Sequence, residues 1–357
     1  MKKILCLFFI TVIVFSFTNC SQVELLDKRS NDFWAMDTYC NITVYGSEEN
    51  LDDLEPLSNI SADISSWSDH LLSDTDSGKS IFASSDGEQV ILKDEIIQTM
   101  ELSLQLSKIT NGKFDLTVAP LSKLWNISKA SEPPPDEEIK DILQLVGYEK
   151  LSLESNILTF QKAGMGIDIG AVGKGLTAKK TEDILKEFGY QNAVINLGGN
   201  VTVFGDKQGQ GFNIGIQSPF SSEVLGVINV SNTSVVTSGT YERKFEYDGI
   251  TYHHLLDTTT GYPSNTGIAS VTVICKNHML ADAFSTAIFL SGTEEGTTLF
   301  NFFYNLSSST EPSSEFSLYG NDIGLTGAII VTEEKKIIVL GNVDFSLKDN
   351  NFSLASE

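Results

Sequence analysis

The sequence predicts an α+β domain: a mostly antiparallel sheet with flanking helices. Two observations carry this expectation. Strand-like runs outnumber helical ones, and from residue 192 onward most of them follow one another directly. A doubly wound parallel sheet would instead alternate strand and helix. The length suits one large domain or two small ones, and no internal repeat is visible.

The elements can be justified in chain order. "CNITVYG" (40–46) alternates and ends in glycine, as a strand does. Residues 94–107 space Ile96, Ile97, Met100 and Leu104 along one helical face and run into an Asn111-Gly112 stop. "EPPPDEE" (132–138) is an exposed loop, because its prolines forbid regular structure, and it leads to a short helix near 139–146. A helix over 175–188 is closed by Gly189. "NAVIN", "VTVFG", "FNIGIQ", "GVINV", "TYHHLL" and "SVTVIC" follow as strands, then an Ala-, Phe- and Leu-rich helix over 279–290. "GAIIVT" and "KKIIVLG" are the last two strands, after a polar insertion (307–316) with no evident chemistry.

The N-terminus is a separate matter. Lys2 and Lys3 precede an uncharged, mostly apolar run (4–17), too short to span a bilayer comfortably, which marks a secretory signal. "FTNC" puts Cys20 where a bacterial lipoprotein is cleaved and lipidated, although Phe17 and Asn19 depart from the usual residues. Plain secretion with Cys20 incidental is the alternative. Removing residues 1–19 leaves 22 basic against 47 acidic residues, a net charge of −25. So acidic a chain excludes nucleic acid as a partner. Only Cys40 and Cys275 remain in the body of the chain, too few for a disulfide framework and without metal spacing, so both are expected as small buried hydrophobes.

"GIDIGAVGKGLTAKK" (166–180) looks like a phosphate loop. A Walker A pattern aligned on Gly173-Lys174 puts Asp168 where glycine is required and Gly175 where a hydroxyl is required, and the G-x-G-x-x-G pattern fails too. Exposed backbone N–H groups, Lys174 and a following helix N-terminus still suit an anion, while a tight strand-to-helix turn explains the stretch equally well. In "LADAFSTAIF" (280–289), Asp282 and Thr286 are one helical turn apart, with Ser285 beside them. A carboxylate and hydroxyls converging in an apolar helix suit a hard cation such as Mg²⁺. His70, His253, His254 and His278 are too few for a histidine-built zinc site. In "YHHLLDTTTGYP" (252–263), His254 and Asp257 can both reach a pocket at the strand end, and of the two adjacent histidines only one faces it. "NLGGN" (196–200), "KFDLTVAPLSKLW" (113–125) and "TSGTYERKF" (237–245), with its hydroxyls and Arg243, also stand out.

Together these stretches resemble the ApbE family of flavin transferases. The similarity runs in family order from "MDTYCNITV" (36–44) through "GKFDLTVAPLSKLW", "IDIGAVGKG", "INLGGN", "TSGTYERKF", "HHLLDTTTGYP" and "SVTVI" to "ADAFSTAIFLSG", over nearly all of the mature chain. The resemblance implies a single domain related to the T-fold. It divides the chain into a signal peptide (1–19), a lipidated tether (20–30), a flavin transferase domain (31–346) and a C-terminal tail (347–357). It implies an exported, membrane-anchored enzyme that uses Mg²⁺ and FAD to place FMN on a threonine of an acceptor protein through a phosphoester, releasing AMP. The acceptors implied are flavoprotein subunits of membrane redox complexes. Hydrolysis of FAD to FMN and AMP is an alternative activity, and capture of FAD without chemistry is another.

Residue by residue, the resemblance assigns FAD contacts to Asp168 and Lys174, to Met36, to Lys113, Phe114 and Asp115, and to the Leu256 backbone, with Trp67 expected to stack on a ring. Magnesium ligands would be the Ala171 carbonyl, Asp282 and Thr286, with Ser285 adjacent. His254 would sit near the reacting pyrophosphate, and either His254 or Asp282 would take the hydroxyl proton, with Lys174 assisting. Two positions depart from the family pattern: Asp37 stands where glycine is usual, and Thr258 where proline is usual.

Overall fold

The computed structural model describes residues 27–52, 54–73, 80–83, 85–307, 316 and 323–355. The expected signal peptide, Cys20 and most of the 307–316 insertion lie outside these residues. The main sheet has nine strands, and their spatial order is their chain order: Asp27–Ala35, Thr38–Gly46, Ala193–Leu197, Asn200–Phe204, Thr233–Gly239, Ile268–Cys275, Leu325–Thr332, Lys336–Gly341 and Ser353–Leu354. Neighbours pair antiparallel except the last two, which run parallel. The sheet is thus a meander, and everything else is an excursion between two of its strands.

Burial explains the layers. Ile268–Cys275 is buried at every position because the sheet is covered on both faces there. On one face Val271, Val273 and Cys275 meet Phe284, Ile288 and Phe303 of the helix His278–Ser307, with Met100 and Leu106 of Asp94–Ile109 in the same core. On the other, Val235, Ile274, Ile329 and Val331 pack against Phe212, Ile214, Ile216 and Ile228 of a three-stranded sheet formed by Phe212–Gln217, Val224–Val230 and Phe345–Leu347. Toward the first edge, Ile42, Val44 and Ile195 bury Ile60 and Ile64 of helix Leu57–Ser73 and Leu185 of helix Gly173–Glu187. Cys40 and Cys275 are buried free thiols, and burial pushes the Cys40 thiol up to about 11, so it is inert as a nucleophile.

Several boundaries move. Asp27–Ala35 pairs along its whole length with Thr38–Gly46, so residues ahead of the expected start at 31 already belong to the sheet. The strand escaped notice because it lies at the sheet edge and its first four residues are exposed and polar. The span expected as a tail is part of the domain: Phe345–Leu347 pairs with Val224–Val230, Ser353–Leu354 joins the main sheet, and Phe352 is buried. The strand expected over "TYHHLL" is only Ile250–His253. The helix expected to stop near 290 breaks at Gly292 (φ 78°, ψ 175°), then resumes to Ser307. Among the described residues no helix is long and apolar enough to cross a membrane.

Candidate active site

Excursions from the meander line one open cavity, with about 860 Å³ of free space counting solvent at its mouth. Phe114, Leu116, Val118, Leu256 and Leu290 supply an apolar wall. Asp168, Ala171, Lys174, Ser238, Arg243, His254, Asp282 and Thr286 supply a polar end.

The glycine-rich stretch is the hinge of the polar end. Asp168 closes the strand Gly166–Asp168, and its Oδ1 accepts the Gly170 N–H at 2.8 Å, folding the loop back on itself. The helix Gly173–Glu187 starts at once, leaving its first N–H groups without partners in the helix. One is claimed from outside: the Gly175 N–H donates to Asp282 Oδ2 at 2.8 Å. The two helices must nearly touch for this. A Cβ on Gly175 would lie 2.4 Å from the His278 carbonyl oxygen and 2.7 Å from Met279 Cα. Gly175 is therefore glycine because a second helix crosses there, whereas a Cβ on Gly173 would meet open space.

Asp282 is almost fully buried. Its Oδ1 accepts from Asn200 Nδ2 at 2.8 Å, and Asn200 Oδ1 in turn accepts from Lys174 Nζ at 3.3 Å. Burial raises the Asp282 carboxyl above its ordinary value, against the opposing pull of the Lys174 charge, the Gly175 N–H and the Asn200 amide. One turn along, Thr286 Oγ1 lies 3.1 Å from Ser238 Oγ. Ala171 lines the same cavity, and its carbonyl accepts no hydrogen bond among the described residues, its natural helical donor being spent on Asp282. One carboxylate, one hydroxyl and one carbonyl form an all-oxygen set that fits Mg²⁺ with its remaining waters. Among the described residues no three or more His, Cys, Asp or Glu are grouped so as to hold a metal.

His254 faces the cavity, while His253 turns inward and bonds the Ser264 carbonyl at 2.9 Å. His254 Nδ1 lies 3.4 Å from the Arg243 carbonyl, so Nδ1 carries the proton and Nε2 the lone pair. The ring is only half-buried by its exposed surface, yet enclosure by the surrounding protein, followed by the nearby Arg243 charge, pushes it down to about 3. The unfolded chain then binds the proton that the folded chain refuses, between the ordinary value and 3. Stability linked to His254 is present above pH 6.5 and lost as pH falls toward 3. His254→Asn should flatten the fall in urea midpoint between pH 7 and 4, and an unchanged slope would refute this linkage.

Asp115 sits in the cavity wall, yet its carboxylate is committed inward. Oδ1 accepts from the Thr117 N–H (2.8 Å) and hydroxyl (2.7 Å), and Oδ2 from the Tyr148 N–H (2.7 Å). It acts as a clasp that shapes the wall. Asp115→Asn should cost about 1–2 kcal/mol of folding stability, read as a lower urea midpoint, because an amide nitrogen would face a donor.

The structure gathers Lys113, Phe114, Asp115, Asp168, Ala171, Lys174, His254, Leu256, Asp282 and Thr286 around the cavity. Three of the expected residues are not in the cavity lining. Met36 turns toward helix Gly173–Glu187 and accepts from Thr177 Oγ1 at 3.1 Å. Trp67 lies under Lys180, whose Nζ is 5.9 Å from the ring centroid, away from the cavity lining. Ser285 donates to the Asp282 carbonyl at 2.9 Å and meets Ser238 Oγ at 2.8 Å, so it braces the helix behind the cavity. Asp257 also turns away, capping the Thr259 N–H at 2.7 Å. Asn200, Ser238, Glu242 and Arg243 were not expected as site residues; their only signals were the "NLGGN" and "TSGTYERKF" stretches.

With this geometry in hand, the chain can be set against known proteins. The model of the ApbE family matches residues 36–307. The chain belongs to the ApbE family. It is 35% identical over 206 residues to the FAD:protein FMN transferase of Klebsiella pneumoniae, a match covering 56% of this chain and 64% of that protein. The matched part therefore spans less than two thirds of that relative. Among solved structures, the ApbE protein of Thermotoga maritima superposes with a TM-score of 0.69 at 26% identity, covering 90% of this chain and 97% of that one. The flavin transferase ApbE of Vibrio cholerae gives a TM-score of 0.70 at 20% identity over 91% and 98%, a likeness in fold. Within the ApbE family, the two departures in this chain have local explanations. Met36 and Asp37 both have positive φ (53° and 57°), so the usual glycine position is left-handed, a conformation aspartate tolerates. Thr258 does what proline cannot: its hydroxyl donates to the Gly112 carbonyl at 2.5 Å, tying two cavity loops together.

Proposed function

We propose that this ApbE-family chain transfers FMN from FAD to a threonine hydroxyl of an acceptor protein, releasing AMP. The observation that carries the reading is the gathering, around one apolar-walled cavity, of Lys174, the Asn200-held Asp282, Thr286 and Ala171. The name borne by the Klebsiella relative agrees with it.

The residues divide the work. Phe114, Leu116 and Leu256 would hold a flat ring by apolar contact. Lys174 and Arg243 would hold the pyrophosphate and oppose the charge that builds on it. The threonine oxygen attacks the FMN-side phosphorus, the bond from that phosphorus to the AMP oxygen breaks, and the hydroxyl proton passes to His254 Nε2. Enclosure keeps His254 neutral, and an anionic pyrophosphate beside it would raise its basicity toward the working range. Asp282, Thr286 and Ala171 would hold Mg²⁺, which when bound neutralises developing phosphate charge.

Export and lipidation at Cys20 belong to the same proposal, as do acceptors among the flavoprotein subunits of membrane redox complexes. Glu242 and Arg243 at the cavity wall are exposed to solvent, so water can stand in for threonine, which supports FAD hydrolysis as a second activity. The test is incubation with FAD, Mg²⁺ and a threonine-bearing acceptor domain. Fluorescent acceptor in a denaturing gel together with AMP supports transfer. AMP without labelled acceptor leaves hydrolysis, and no AMP leaves FAD capture.

A further inference from the structure

Behind the cavity lies a chain of side chains that the chemistry above does not use, buried except for the half-buried Glu182 at its outer end. Glu182 Oε2 lies 2.8 Å from His278 Nε2. His278 Nδ1 lies 2.7 Å from Ser234 Oγ, and Ser234 Oγ lies 2.6 Å from Thr202 Oγ1. Lys186 also pairs with Glu182. Burial would raise the Glu182 carboxyl, but the hydrogen bonds from His278 and Lys186 outweigh it and hold the group below its ordinary value, so Glu182 is an anion. An anionic partner fixes the proton on His278 Nε2. With a neutral ring, Nδ1 then accepts from Ser234, and Ser234 from Thr202.

The sequence of groups is that of a serine-hydrolase relay, but Ser234 is wholly buried and no substrate can approach it. Its placement suggests another role. Each member sits on an element that delivers a cavity residue or, for Asn200, the amide that joins two of them. Glu182 shares helix Gly173–Glu187 with Lys174, and His278 lies one turn before Asp282 on helix His278–Ser307. Ser234 shares strand Thr233–Gly239 with Ser238, and Thr202 shares strand Asn200–Phe204 with Asn200. The relay crosses the same helix contact as the Asp282–Gly175 hydrogen bond, where backbones are in van der Waals contact and cannot absorb misalignment.

We propose that Glu182, His278, Ser234 and Thr202 form a positioning relay for the phosphoryl end of the cavity. It fixes the spacing of Lys174, Asn200 and Asp282, while the apolar wall on residues 113–118 and 255–258 stands apart from it. The proposal rests on the transfer reading for its kinetic readout, and metal affinity supplies a readout independent of that reading.

The test uses the purified chain, with AMP release measured against FAD concentration and Mn²⁺ affinity measured by electron paramagnetic resonance. Ser234→Ala and Glu182→Ala should each lower kcat and Mn²⁺ affinity about tenfold, the low end of what outer partners of a metal site contribute. KM for FAD should change less than kcat, because the apolar wall that holds the ring is not tied to the relay whereas Lys174 is. Glu182→Gln, whose amide oxygen still accepts the His278 Nε2–H, should recover most of the loss. Thr181→Ala is the control for general destabilisation: it removes a buried hydroxyl that bonds only the Thr177 carbonyl of its own helix. Relay variants that unfold cooperatively yet match Thr181→Ala in kcat and Mn²⁺ affinity would overturn the proposal, as would Glu182→Gln failing like Glu182→Ala. A wild-type chain that releases no AMP overturns the transfer reading alone, and the Mn²⁺ affinities then decide the relay.

Discussion

Asp282→Asn is expected to lower AMP release from FAD by about 10²–10³-fold while leaving the fold intact. The size follows from the charge removed. A preorganised group facing developing phosphate charge contributes on this scale, and the carboxylate is the single anionic ligand in the proposed Mg²⁺ set. The substitution also spoils the polar network locally. Both carboxylate oxygens accept, one from the Gly175 N–H and one from the Asn200 amide. An asparagine amide must point a donor at one of these donors. Burial already disfavours the charged carboxyl, which offsets part of that clash, so the cost to the fold should stay at about 1–2 kcal/mol, as expected for Asp115→Asn. Mn²⁺ affinity should fall with the rate, and a variant within tenfold of wild type in both would sink the assignment.

Gly175→Ala should cost about 10²-fold in rate and about 1–3 kcal/mol in stability. Alanine is ordinarily the better helix former by about 1 kcal/mol, so intrinsic propensity predicts the opposite sign. Here the new Cβ meets the backbone of His278 and Met279, and backbone cannot rotate away as a side chain can. The helices must part, and the Gly175–Asp282 hydrogen bond parts with them. Gly173→Ala makes the internal comparison: its Cβ meets nothing within 4 Å, so stability should hold or rise. Urea midpoints of the two variants that moved together would refute the close-approach explanation.

How far the sequence could be read depended on whether a signal was local. The helix over 94–107 and the buried strand "SVTVIC" were legible because each carries its own periodicity. The edge strand Asp27–Ala35 was not, since its exposed face has no apolar alternation and its pairing is visible only beside Thr38–Gly46. At the site, Asp282 and Thr286 were legible as a polar pair one turn apart in an apolar helix. Asn200 was not, because "NLGGN" is a turn until the fold sets its amide between Lys174 and Asp282. Met36 and Trp67 were expected at the cofactor from resemblance, but side-chain direction is settled by neighbours such as Thr177 and Lys180 that lie far along the chain. The glycines of "GAVGKG" suggested a loop wrapped around phosphate, and the structure gives Gly175 a different cause, the crossing of a second helix.

The meander order of the main sheet has a consequence for assembly. Neighbours in space are successive along the chain, so a polypeptide delivered from its N-terminus can add strands in the order they emerge, each docking on an edge already present. One step breaks this economy. Thr38–Gly46 must wait for Ala193–Leu197, with the whole excursion of residues 47–192 between them. Closing that span carries the largest loop entropy among the pairings of the sheet. The same excursion carries Phe114, Asp168 and Lys174, so the cavity becomes a cavity only when the slowest pairing is made.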